Sequence, residues 1–103
     1  MEEDAGTLRL GGNISLSGFR EIDGGSMVIL KKMVGNYARK LSDQSTNFER
    51  LSLTLKIVHP TEASKKFEIK AKLMDNGKPS NSEVVDRNVF VAVDKALKKL
   101  SGV

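Results

Sequence analysis

The chain of 103 residues has no cysteine, no tryptophan, one histidine, one tyrosine, four phenylalanines and two prolines. Without cysteine there can be no disulfide, no thiolate metal site and no cysteine nucleophile, which fits a reducing compartment. The lone His59, placed before Pro60, excludes every multi-histidine site. No run approaches the ~20 apolar residues needed to cross a bilayer. The opening MEEDAGTLRL is acidic where a signal peptide would be basic and then apolar. A cytoplasmic protein with no membrane partner is therefore expected. Nearly all the aromatic residues fall at core-type positions, so a base-stacking platform is not expected.

What is present is the ordinary balance of a globular protein, 39% hydrophobic and 29% charged, in a length that supports one core. Residues 1–6 carry three acids and nothing to bury, and read as a disordered tail ahead of a single domain over 7–103. TLRLGGNISLSGF alternates, with Leu8, Leu10, Ile14 and Leu16 on one parity, as one strand weakened at Gly11-Gly12 and secure from Asn13 to Phe19. After REIDGG, Ser26 is the expected N-cap of a helix of about four turns. Met27, Leu30, Met33, Val34, Tyr37, Ala38 and Leu41 form its apolar stripe.

FERLSLTLKIVH and KKFEIKAKLMD then alternate as two strands around the turn PTEAS. Asn76-Gly77 is a strong hairpin signal, because both residues tolerate the positive φ of a two-residue turn. KPSNSEVVD is the return strand, with Pro79 suited to a sheet edge. Asp86 is the expected cap of a last helix whose stripe is Val89, Phe90, Val93, Ala96, Leu97 and Leu100. The order β-α-β-β-β-α predicts an α+β two-layer sandwich, a four-stranded sheet with two helices on one face, and an opposite face that is polar and uncovered.

Seventeen Lys and Arg against thirteen Asp and Glu leave +4. Lys31, Lys32, Arg39 and Lys40 give the first predicted helix +4. Arg87, Lys95, Lys98 and Lys99 against Asp94 give the second +3, leaving the remainder net acidic. Lysines near helix C-termini also complement the macrodipole and favour solubility. Their concentration on two helices nevertheless predicts one basic surface about two helices, or ~20 Å, wide, suited to phosphates.

Catalytic patterns are lacking. His59 has no partner, and Ser15, Ser17, Ser52, Ser80 and Ser82 lie outside any nucleophile-elbow pattern. Asp23-Gly24-Gly25-Ser26 precedes a helix without the P-loop lysine spacing and follows no parallel βα crossover pattern, and Glu62 and Glu68 lack metal-ligand spacing. No enzyme, metal, cofactor or small-molecule substrate is expected.

NISLSGF entering a helix, the long strand RLSLTLKIV, the hairpin AKLMDNGKPSNSEVVD and the ending DRNVFVAVDKALKKL together resemble the ribosome hibernation-promoting factor and ribosome-associated inhibitor A family, also called sigma-54 modulation proteins. The resemblance spans almost the whole chain and rests on order and spacing. It implies binding to small-subunit rRNA at the decoding region, where basic helix faces block mRNA and tRNA under stress. The positions occupying those faces would be Lys31, Lys32, Arg39, Lys40, Arg87, Lys95, Lys98 and Lys99. It further implies the short form of the family, without a dimerisation domain, and a monomer off the ribosome.

Two other readings are open. A general double-stranded RNA-binding domain shares the hairpin-then-helix ending, yet it requires lysines at the start of its last helix, where this chain has DRNVF. A protein-interaction module would use the open sheet face with Lys56, Lys70 and Lys72, or add a strand at an edge.

Overall fold

Leucines at every second position of FERLSLTLKIV place one greasy face on the central strand, and the remaining elements assemble on it. The computed structural model describes residues 7–11, 13–58 and 65–102. The predicted tail, the PTEAS turn, His59 and Glu62 lie outside the described residues. In chain order the elements are β1 (Thr7–Arg9), β2 (Ile14–Ser17), α1 (Gly24–Gln44), β3 (Phe48–Val58), β4 (Lys66–Asp75), β5 (Lys78–Asp86) and α2 (Val89–Ser101). The class is α+β, as expected.

The sheet has five strands in the order β1-β2-β3-β4-β5, where four were expected. What looked like one glycine-weakened strand is a hairpin. Gly11, at φ 75°, helps reverse the chain, and Thr7, Leu8 and Arg9 pair antiparallel with Ser17, Leu16 and Ser15. Both arms keep the same parity, so alternation alone could not distinguish a straight strand from a folded one.

β2 pairs in parallel with β3, so Asp23 to Ser26 do open a parallel βα crossover, contrary to expectation, because pairing across α1 leaves no local pattern; β3, β4 and β5 form an antiparallel meander. Asn76 (φ 51°) and Gly77 (φ 77°) turn the β4–β5 hairpin as predicted, and Pro79 lies on the edge strand. Gly18 also has positive φ, at 84°, and a Cβ there would meet the Leu55 backbone carbonyl. This close approach lets the chain leave β2 for the helix.

Two helix starts differ from expectation. Asp23, not Ser26, caps α1, its carboxylate accepting from the Ser26 backbone N–H at 3.0 Å. That bond holds the Asp23 pKa below the ordinary carboxylate value. Asn88, not Asp86, caps α2, accepting from the N–H groups of Phe90 and Val91. Asp86 instead accepts from the Asn88 N–H at 2.9 Å and fixes the turn before the cap.

The core lies between sheet and helices. Leu16, Leu51, Leu53 and Ile69 from the strands meet Leu30, Val34, Leu41, Val93 and Leu97 from the helices, all essentially inaccessible. No polar or charged residue is buried among the described residues. Ala92 and Ala96 let α2 sit close to the sheet, and the Ser82 hydroxyl on β5 donates to the Ala96 carbonyl at 2.8 Å. Gln44 and Leu100 line one cavity together with Asp75 and Lys78 of the β4–β5 hairpin, so both helices end at the same end of the sheet.

These boundaries change the charge count. α1 extends to Gln44 and takes in Asp43, so it carries +3, and Arg87 precedes α2, which carries +2. Glu2, Glu3, Asp4 and Glu62 lie outside the described residues. Outside the helices, the described residues hold ten cationic side chains against seven carboxylates. With those four acids the remainder is ten cations against eleven carboxylates, net acidic as expected, but only through residues outside the described ones.

Candidate nucleic-acid interface

Leu30, Val34, Ala38 and Leu41 are buried, which directs Lys32 and Arg39 to the outer crest of α1. Seven residues apart, they stand one above the other about 10 Å along the axis, and both are exposed. Lys40 leans toward α2, its Nζ 5.4 Å from the centre of the Tyr37 ring.

The seam between the helices is held by the Tyr37 hydroxyl, which donates to Asp94 Oδ1 at 2.8 Å. Lys98 pairs with Asp94 at 3.2 Å one helical turn on. Burial, together with this carboxylate, pushes the Tyr37 pKa up to about 12. The Tyr37 hydrogen bond, then Lys98 and Lys40, hold Asp94 below the ordinary carboxylate range against a smaller opposing effect of burial. Lys40, Tyr37, Asp94 and Lys98 thus form one polar strip across the seam.

The other predicted cations are not gathered there. Lys31 points to the flank away from α2 and lines a cavity with Leu8, Phe19, Arg20 and Met27. Lys95 pairs with Asp86 at 3.6 Å, and Lys99 donates to the Glu83 carbonyl at 3.3 Å, so both lean over the β5 edge. Arg87 is exposed in the β5–α2 connection. Of eight predicted residues, Lys32, Arg39, Lys40 and Lys98 share the outward helix surface, and the rest flank it.

Pairing does not disable Lys98. An exposed carboxylate–lysine pair one helical turn apart contributes only about 0.5 kcal/mol, less than a phosphate contact can replace. At the N-terminus of α1 the Asp23 carboxylate already sits on the Ser26 N–H, so a negative charge of the protein itself stands where an anion would bind. Exposed Val28 and Ile29, at 59% and 54%, add an apolar patch to the outer side of α1 that sequence periodicity did not flag. Their exposure was hidden because they sit beside stripe residues in an apolar run.

The opposite face of the sheet was expected to be merely polar, and strand register gives it more structure. One row across the strands reads Arg9, Ser15, Ser52, Lys72 and Asn81, and the next reads Thr7, Ser17, Thr54, Lys70 and Glu83. Alternation revealed the parity of each residue, but only pairing revealed the rows.

Among the described residues no three His, Asp or Glu side chains group as metal ligands, and no helix is long and apolar enough to cross a membrane. No protein-family model matches the chain, and no curated protein does so either.

Proposed function

We propose that this protein binds the rRNA of the small ribosomal subunit through the outer face of its helix layer and silences translation, acting in the cytoplasm. The observation that carries the reading is the shared outward surface of Lys32, Arg39, Lys40 and Lys98, locked across the seam by the Tyr37–Asp94 hydrogen bond. Two helices held in fixed relation present cations at set distances, which suits a folded RNA backbone better than a flexible tail would. The order of elements and the resemblance of their sequences supply the ribosome as the particular RNA. A general double-stranded RNA-binding domain is less well supported, because α2 begins at an Asn88 cap with only Arg87 beside it, while its lysines cluster in the second half.

Binding of this kind releases counterions and so weakens steeply as salt rises. In sucrose gradients with purified subunits, the protein should comigrate with the small subunit at low salt and leave it at high salt. Lys32→Glu with Arg39→Glu should reduce binding at least about tenfold while the circular dichroism spectrum stays unchanged. A folded double variant that comigrates like the parent would refute the helix-face site.

A further inference from the structure

We infer that the uncovered sheet face is a second RNA-backbone site, so that the protein can hold two RNA segments, one on each broad side. The inference adds to the helix-face reading and rests on it only for the nature of the partner. Both helices pack on the other side of the sheet, and among the described residues nothing covers this one. Its centre is a concave surface of about 540 Å³, lined by Ser52, Thr54, Lys70, Lys72, Asn81 and Glu83.

Charge complementarity indicates the occupant. Arg50, Lys56 and Lys66 extend the cationic surface around Lys70 and Lys72, and Glu68, Glu83 and, beside Arg50, Glu49 are the acids among them. Although Glu83 stands opposite Lys70 and Glu68 opposite Lys56 in register, neither forms an ion pair within 4.0 Å. Lys70 and Lys72, two residues apart on one strand, project to the same side about 7 Å from each other. They continue two neighbouring rows of hydroxyls whose mutual bonds are long, 3.4 Å for Ser15 to Ser52 and 3.3 Å between Thr7 and Ser17, leaving donors and acceptors for sugar hydroxyls and phosphates. Without aromatic side chains the face cannot stack bases, so its contacts are to the backbone and independent of sequence.

The test uses the full chain and an RNA duplex of about 16 base pairs, a length a small α+β domain can span. Sedimentation equilibrium at low salt should find two duplexes per protein. Lys70→Glu with Lys72→Glu should weaken one site at least about tenfold and leave the other. Lys32→Glu with Arg39→Glu should do the reverse. The neutral pair Lys70→Gln with Lys72→Gln covers the case in which charge reversal unfolds the strand. Thr54→Val should weaken the sheet site without altering its salt slope, since a hydroxyl releases no counterion.

Two duplexes bound equally well by both sheet-lysine variants would overturn the inference and leave the helix site standing. So would a single duplex lost only in the helix variant. Loss of all binding in the sheet variants, with none in the helix variant, would sink the helix reading and keep this one. Association that depends on Lys70 and Lys72 but survives nuclease would assign the face to a protein and overturn the RNA site.

Discussion

On the helix layer, Lys95, Lys98 and Lys99 each end on a carboxylate or carbonyl of the protein itself, whereas on the sheet Lys56, Lys70 and Lys72 are exposed without an ion pair. Both faces are cationic, and geometry separates them. Successive helical residues diverge by about 100°, so neighbouring lysines such as Lys98 and Lys99 fan out, one to the seam and the other to the β5 edge. Alternate strand residues all point the same way, so Lys70 and Lys72 reinforce each other. Helices spread charge around a cylinder, and strands concentrate it on a plane.

The largest expected effect breaks both faces at once. Leu53, inaccessible and central to the sheet, should cost about 3 kcal/mol on replacement by Ala. Gly18→Ala should cost about 2 kcal/mol or more, since it strains a positive φ and meets the Leu55 carbonyl. Thermal melts measure both. Binding to the two faces should decline in parallel as either variant unfolds; a divergence would mean that one face does not depend on the shared core.

Asp94→Asn sharpens the contrast. It removes the carboxylate between Lys40 and Lys98, so helix-face affinity should rise several-fold at low salt while the sheet face is unaffected. Fluorescence anisotropy with the same duplex would detect the difference, and equal gains on both faces would point to net charge alone.

The seam also sets the response to pH. The depressed pKa of Asp94 means that its contribution is present above the ordinary aspartate value and is lost as pH falls through the lower folded value. Tyr37 is neutral in the fold up to about 12 against an ordinary 10.0, so its contribution holds below pH 10 and is lost as pH rises through 12. Stability followed by denaturant titration should therefore fall at both extremes. Tyr37→Phe should remove the alkaline loss attributable to this group. The smallest effect belongs to Lys95→Gln, whose exposed pair with Asp86 should leave the melting temperature and helix-face binding almost unchanged.

Much of the architecture was legible because periodicity reports burial directly. The stripe of α1, the alternation of β3 and β4 and the Asn76-Gly77 turn each encode a local structure in residues close together in the chain. The β1–β2 hairpin was not legible, because both arms of TLRLGGNISLS share a parity. The caps were misplaced because Asp23 and Ser26, or Asp86 and Asn88, are all competent cap residues, and only the entering backbone angle selects among them. Spacing from the apolar stripe already set Lys32 and Arg39 opposite it and Lys31 and Lys40 on its flanks, but not that Lys95 and Lys99 would lean over the β5 edge.

The sequence by itself determined the α+β class, most of the buried stripe of each helix and the inward parity of the long strands, because these depend on contacts within a few residues. Only the tertiary structure decided that β1 would fold back, that Tyr37 would reach Asp94 across 57 positions of the chain, and that Ser52, Lys72 and Asn81 would stand in one row. Those are choices of register and helix packing. They arise from the joint fit of surfaces distant in the chain, which no local pattern records.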